Sequence, residues 1–170
     1  MRYAAIRDMD ISNGTGVGVS LFVQGCPIHC EGCFNQSTWD FNGGKEWTAE
    51  TKDKLIQLMK HPYIKRLSIL GGEPFADQNF SDVVDLIHIV DSMKISGELP
   101  ADFKVWLYTG YHLAGDVSDH EIFQLVDYIV DGPYIQELRD ITLKFRGSSN
   151  QRIVDCKASI EAGKIVTAFD

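Results

Sequence analysis

Four short apolar runs, each followed within two residues by glycine, constrain what this chain can fold into more than any other feature. They are Val17 to Val23 (VGVSLFV) before Gly25, Arg66 to Leu70 (RLSIL) before Gly71, Lys104 to Tyr108 (KVWLY) before Gly110, and Tyr128 to Val130 (YIV) before Gly132. Runs of this length, rich in β-branched and aromatic residues and ended by glycine, read as buried strands. Helical patterns lie between them. Thr48 to Lys60 puts Leu55, Leu58 and Met59 on one face, with Pro62 just beyond. Phe80, Val83, Val84, Ile87 and Val90 mark one face of a longer helix that Gly97 closes. Ser118-Asp119-His120-Glu121 has the S-x-x-E form of a capping box, opening a short helix through Ile122, Phe123 and Val126. Beyond Asp131-Gly132 the alternation stops, and Lys144 to Asp155 reads as a strand pair or an extended arm.

Strands alternating with helices give an α/β fold with a mostly parallel sheet and right-handed crossovers. The units are too few for a closed eight-stranded barrel, so the expected architecture is a partial, open β/α barrel. At 170 residues the chain is expected to form a single domain, 1–170, able to bury a substantial core. Ligands bind at the carboxyl ends of parallel strands. The cysteine-rich loop after Val23, Gly71-Gly72-Glu73-Pro74, Thr109-Gly110 and Asp131-Gly132 all collect at those ends.

That first loop holds three of the four cysteines, spaced Cys26-x3-Cys30-x2-Cys33. No apolar stretch approaches the roughly 20 residues that cross a bilayer, and the start of the chain, MRYAAIRDMDIS, lacks the form of a signal peptide. A cytoplasmic address is expected, where thiols stay reduced, so the cysteines read as metal or redox groups rather than disulfide partners. Two metal chemistries fit the spacing. Zinc would need a fourth ligand, His29 or Cys156. An iron–sulfur cluster held by only three thiolates would keep one iron open, as a catalytic centre needs.

The remaining features have plainer readings. The net charge of −8 argues against a nucleic-acid or membrane-surface partner. Arg139, Lys144, Arg146 and Arg152 form a local exception, read as a solvated face in preference to a docking patch for an acidic partner. With no strand read upstream and no lysine-serine ending, Gly14 and Gly16 do not form a phosphate loop. Trp39, Trp47 and Trp106 read as packing residues, Trp39 close enough to brace the cysteine loop. Cys156 reads as a half-buried bystander.

The cysteine motif followed by GGEP after the next strand resembles the radical S-adenosylmethionine (SAM) superfamily. More narrowly, the chain is similar to the family that activates anaerobic ribonucleoside-triphosphate reductase. The similarity is carried by Asn13-Gly14-Thr15-Gly16, LFVQGC and GCFNQSTW around the cysteines, GGEP, VWLYTGY, VDGPY and FRGSSNQRIVD, collinear over nearly the whole chain. Gly32, rather than an aromatic residue, precedes Cys33, and the aromatic Phe34 follows it, which agrees with the narrower family.

The resemblance implies a partial β/α barrel of the radical SAM type in which Cys26, Cys30 and Cys33 hold a [4Fe-4S] cluster whose open iron binds SAM. It implies SAM contacts from Gly32, Cys33, Phe34, Gly71, Gly72 and Glu73, with Glu73 adding negative charge toward the methionyl ammonium. The implied partners are the large subunit of the reductase, on which a glycyl radical is formed, and a flavodoxin or ferredoxin as reductant. Another glycyl-radical enzyme or a small molecule as target, and a zinc or iron–sulfur binding module, are the alternative readings.

Overall fold

The computed structural model describes residues 1–113 and 121–169. Three of the expected capping-box residues, Ser118, Asp119 and His120, lie outside the described residues. The elements in order are β1 (Arg2–Asp10), β2 (Gly18–Val23), β3 (Lys45–Glu46), α1 (Ala49–Met59), β4 (Arg66–Gly71), α2 (Asp77–Ser96), β5 (Lys104–Tyr108), α3 (Glu121–Leu125), β6 (Tyr128–Asp131), β7 (Arg152–Asp155) and α4 (Cys156–Ala162). They build one seven-stranded sheet in the order β3-β1-β2-β4-β5-β6-β7. The four central strands, β2, β4, β5 and β6, run parallel, while β1, β3 and β7 add antiparallel edges. The sheet is open, as expected for a partial barrel.

Each central strand splits its side chains between two faces, because successive residues of a strand point opposite ways. Val19, Leu21 and Val23 of β2, Leu67 and Ile69 of β4, and Val105 and Leu107 of β5 share one core with Leu55 and Met59 of α1 and Val83, Leu86, Ile87 and Val90 of α2. Thr48 caps α1, accepting from the Thr51 backbone N–H, and Gly97 ends α2 in the left-handed region at φ 79°. Phe80, expected on the buried face of α2, is exposed, and Asn79 takes the buried position instead.

The other face is polar at one end and aromatic at the other. Arg66 is fully buried there, donating to the Ser68 hydroxyl at 2.7 Å and to the Asp10 carbonyl at 2.8 Å. Its guanidinium also stands 3.7 Å from the Asp10 carboxylate, which accepts from Ser20 and Asn13. A side chain at Gly14 would come within 2.9 Å of both Arg66 and Trp106, so that glycine lets the turn before β2 close over them.

Three further findings depart from the sequence reading. A strand, β1, does precede Gly14 and Gly16; the turn leads into β2 rather than into a helix, so it still lacks the helix N-terminus of a phosphate loop. Only Arg152–Asp155 of the expected Lys144 to Asp155 segment is strand, pairing antiparallel with β6. Cys156 opens α4 rather than lying in an arm, and it is fully buried, not half-buried.

Candidate functional site

The cysteine loop begins where β2 ends. Gly25 turns at φ 97°, and its N–H donates to the Thr38 carbonyl at 2.7 Å, while the Cys26 N–H donates to the Trp39 carbonyl at 3.1 Å. The returning limb therefore fastens the start of the loop. Trp39 also stacks on His29 at 4.5 Å between ring centroids, the bracing expected of it. The Gln24 side chain donates to the carbonyls of Ser37 and Asp40 at 3.1 and 2.8 Å. Cys33 closes a turn with its N–H on the Cys30 carbonyl at 3.1 Å, and the Asn35 N–H points at its sulfur at 3.3 Å.

Cys26, Cys30 and Cys33 are all half-buried and line one cavity of about 380 Å³. Burial raises the thiol pKa of both Cys26 and Cys30, with backbone N–H groups pulling the other way. Soft thiolates spread around one cavity suit a polynuclear iron–sulfur cluster, in which each cysteine binds a different iron. Among the described residues no three Cys, His, Asp or Glu side chains are grouped to hold a single metal ion. Cys156 lies in the helix-side core and does not line this cavity, and His29 stacks on Trp39.

The GGEP loop is pinned against the cysteine loop. The N–H groups of Gly72 and Glu73 donate at 2.8 Å to the carbonyls of Val23 and Gly25. A side chain at Gly72 would collide with the Gly25 backbone, so this glycine is required by the contact between the two loops. Glu73 is only 1% exposed. Its carboxylate accepts from the Phe75 N–H at 2.9 Å, the Thr109 hydroxyl at 2.8 Å and the Gly110 N–H at 2.8 Å. Burial raises its pKa, and those three donors oppose the rise. Asn79 completes the assembly, its side-chain N–H₂ donating to the carbonyls of Gln24 and Glu73, both at 3.0 Å. Gly71, Gly72, Glu73, Thr109 and Gly110 line the same cavity as the three cysteines.

Residues 12–154 match the model of a family described as a 4Fe-4S single cluster domain. The anaerobic ribonucleoside-triphosphate reductase-activating protein of Vibrio cholerae is 42% identical over 156 residues, covering 90% of this chain and 97% of that protein. The protein of the same description from Escherichia coli K12 is 37% identical over 154 residues, 89% of this chain and 96% of its own length. That of enterobacteria phage T4 is 37% identical over 153 residues, 90% and 93% of the two chains. The chain belongs to the family of anaerobic ribonucleoside-triphosphate reductase-activating proteins.

The FRGSSNQR segment that is part of the resemblance to this family forms the cavity's far wall. Gln151 accepts from the N–H groups of Gly147 and Ser148 at 2.9 and 3.2 Å and donates to the Gly132 carbonyl at 3.1 Å. Asn150 donates to the Pro133 carbonyl at 2.7 Å. Arg152 forks onto the buried Asp131 carboxylate, with its Nε at 2.9 Å, and its Nη2 also reaches the Leu113 carbonyl at 2.9 Å. These bonds fold Leu143, Phe145, Arg146 and Gly147 toward the cysteines. Phe34 lines the cavity on that side, 63% exposed, its ring 5.1 Å from that of Tyr134. Gly32 lies outside the cavity lining, at φ 70°, where a side chain would collide with Gln136.

In this family member, Tyr108, Thr109, Gly110 and Gly132 reach the cavity, whereas Asp131 stays beneath it as the anchor of Arg152. Sequence reading missed Asn79 and the bracing part of Thr109. Both are single polar side chains bonded to partners distant in sequence. An asparagine standing in the apolar row of α2 is the signal that could have drawn notice.

Proposed function

We propose that this chain activates an anaerobic ribonucleoside-triphosphate reductase by forming a glycyl radical on its large subunit, with residues 1–170 acting as one domain. Cys26, Cys30 and Cys33 would hold a [4Fe-4S] cluster and leave it open to SAM. Such a cluster supplies, when bound, the electron for reductive cleavage of SAM to methionine and a 5'-deoxyadenosyl radical, which takes hydrogen from a glycine of the reductase.

The chain's own residues orient the substrate and exclude water. An ammonium is a donor and needs acceptors. The N–H groups of Gly72 and Glu73 are already engaged by Val23 and Gly25, so the GGE loop serves the methionyl ammonium through carbonyl oxygens and the field of Glu73. Gly71 and Gly72 let SAM approach the backbone closely. Gly32 shapes the turn before Cys33, and Phe34 offers an aromatic face at the cavity mouth to the adenine. A flavodoxin or ferredoxin in the cytoplasm provides the electron. No helix among the described residues is long and apolar enough to cross a membrane.

The observation that carries this reading is the opening of the three thiols and the GGE loop onto one cavity, in a chain of this family. Protein reconstituted anaerobically and given dithionite and SAM is expected to release 5'-deoxyadenosine. With the large reductase added, a glycyl-radical doublet is expected by electron paramagnetic resonance. Protein that takes up zinc alone and never releases 5'-deoxyadenosine would overturn the reading.

A further inference from the structure

The segment that walls one side of the cavity carries a charge opposite to that of the chain as a whole. The net charge is −8, yet the stretch from Arg139 to Arg152 holds four cations and a single acid. That acid, Asp140, turns its carboxylate onto the Thr142 N–H at 2.8 Å and hydroxyl at 2.6 Å, and Arg152 is engaged by Asp131. Asp140 keeps its charge, and within Arg139 to Gly147 the three cations Arg139, Lys144 and Arg146 outnumber it, a formal excess of two positive charges. Arg146 lines the cavity, Arg139 stands 5.2 Å over the Phe34 ring, and Lys144 is exposed.

The loop is fixed in shape. Its base is closed by Ser149 N–H on the Leu138 carbonyl at 2.9 Å, Asp140 N–H on the Gly147 carbonyl at 3.2 Å, and a β-bridge between Arg139 and Ser148. The loop carries Ile141, 84% exposed, and Leu138, just before it, is 41% exposed. Cations interleaved with apolar side chains along a rim, rather than converging on one point, fit a macromolecular surface better than a small anion.

We infer that the Arg139 to Gly147 loop, with the exposed edge of Phe34, is the rim on which the reductase docks, and that the reductase segment seated there is acidic with apolar residues among its carboxylates. This rests on the function proposed above: a radical formed in the cavity must meet its hydrogen donor there, so the partner crosses the cavity mouth. An acidic partner is repelled by most of a chain with this net charge and attracted at the rim. The field therefore orients the encounter so that the cavity faces its target.

The test compares two double variants of the full chain in binding to the large reductase. Arg139→Glu with Lys144→Glu is expected to slow association about tenfold at low salt, a difference that shrinks once added salt shortens the screening length. Lys54→Glu with Lys157→Glu, the same charge change on α1 and α4, is expected to associate as the wild type does. Ile141→Ser is expected to weaken binding about tenfold at every salt concentration, since apolar contact is not screened.

SAM cleavage without reductase is measured in parallel. Rim variants that cleave SAM normally but bind poorly support the inference. Rim variants that bind like the wild type, or distal variants that are slowed equally, overturn it while leaving the proposed function standing. Wild-type protein that cleaves no SAM would instead remove the function, and the docking rim with it.

Discussion

The Thr109 hydroxyl donates a 2.8 Å hydrogen bond to Oε1 of Glu73, joining the loop after β5 to the loop after β4. The Gly110 N–H reaches Oε2 of the same carboxylate at 2.8 Å. Two neighbouring rim loops thus share one buried acid, and the GGE segment is held from both sides: by β5 through Glu73 and by the cysteine loop through Gly25.

Glu73→Gln tests that arrangement. An amide turns an N–H₂ toward one of the three donors, leaving it without an acceptor, at a cost of about 1–3 kcal/mol. The pH dependence has a definite sign. Burial holds the folded pKa above the ordinary 4.5, so the unfolded chain releases this proton first. The contribution of Glu73 is complete below 4.5 and is lost as pH rises through its folded value. Urea unfolding at a series of pH values is expected to show that decline in the wild type and not in Glu73→Gln. Equal slopes would refute the assignment.

The cysteines divide three to one. Cys26→Ala, Cys30→Ala and Cys33→Ala are each expected to lose bound iron and sulfide after anaerobic reconstitution, because each removes a ligand at the cavity wall. Cys156 sits in the helix-side core, where burial pushes its thiol pKa strongly upward. Cys156→Ala is expected to keep the full iron content and to lose about 1 kcal/mol of stability from the small void it leaves. Iron loss in that variant would overturn the three-ligand assignment.

The parts of the fold that could be read in advance were those whose physics is local. The central strands are nearly continuous apolar runs, since both their faces are covered, and such runs stand out in a sequence. β1 does not stand out: Arg2, Arg7 and Asp8 interrupt it, and its apolar contacts with the core come from the half-buried Tyr3 and Ile6. β3, at two residues, has no pattern to read. α4 was hidden by its length, although Asp155 caps it by accepting from the Ala158 N–H at 2.9 Å. At the site, ligand spacing made the cysteines legible. The glycines were legible as glycines, but the collision that Gly72 avoids with Gly25 depends on two loops meeting in space.

Asn79 presents the same difficulty and offers a sharp test. Its donors satisfy two carbonyls that belong to different loops, Gln24 before the cysteines and Glu73 in the GGE segment. Asn79→Ala takes a donor from both carbonyls, although that of Glu73 keeps the Ala76 N–H at 3.1 Å, and at about 1–3 kcal/mol it lets the loops part. Asn79→Asp keeps the size but turns a carboxylate oxygen toward those carbonyls, so it is expected to be more damaging than the alanine change. The check is the rate at which a chelator strips iron from reconstituted protein. The expected order is wild type slowest, then Asn79→Ala, then Asn79→Asp. A faster loss from alanine than from aspartate would indicate that Asn79 acts through packing.

Arg152 secures the opposite wall. Its Nε and Nη2 both reach the fully buried Asp131, and Nη2 also holds the Leu113 carbonyl. A planar fork matched to a carboxylate is a geometry that lysine cannot reproduce. Arg152→Met leaves the Asp131 carboxylate in the interior with the Leu113 N–H at 2.9 Å but without its cation. Losing charged hydrogen bonds of this kind costs about 2–3 kcal/mol. Arg152→Lys is expected to fall between the two, restoring charge and one hydrogen bond. Because Gln151 and Asn150 hang the far wall from Gly132 and Pro133 beside this pair, SAM affinity is expected to fall with stability across the series. Urea midpoints and SAM titrations on the same variants check the coupling. Stability lost without any change in SAM affinity would mean that the far wall keeps its shape when Arg152 is gone.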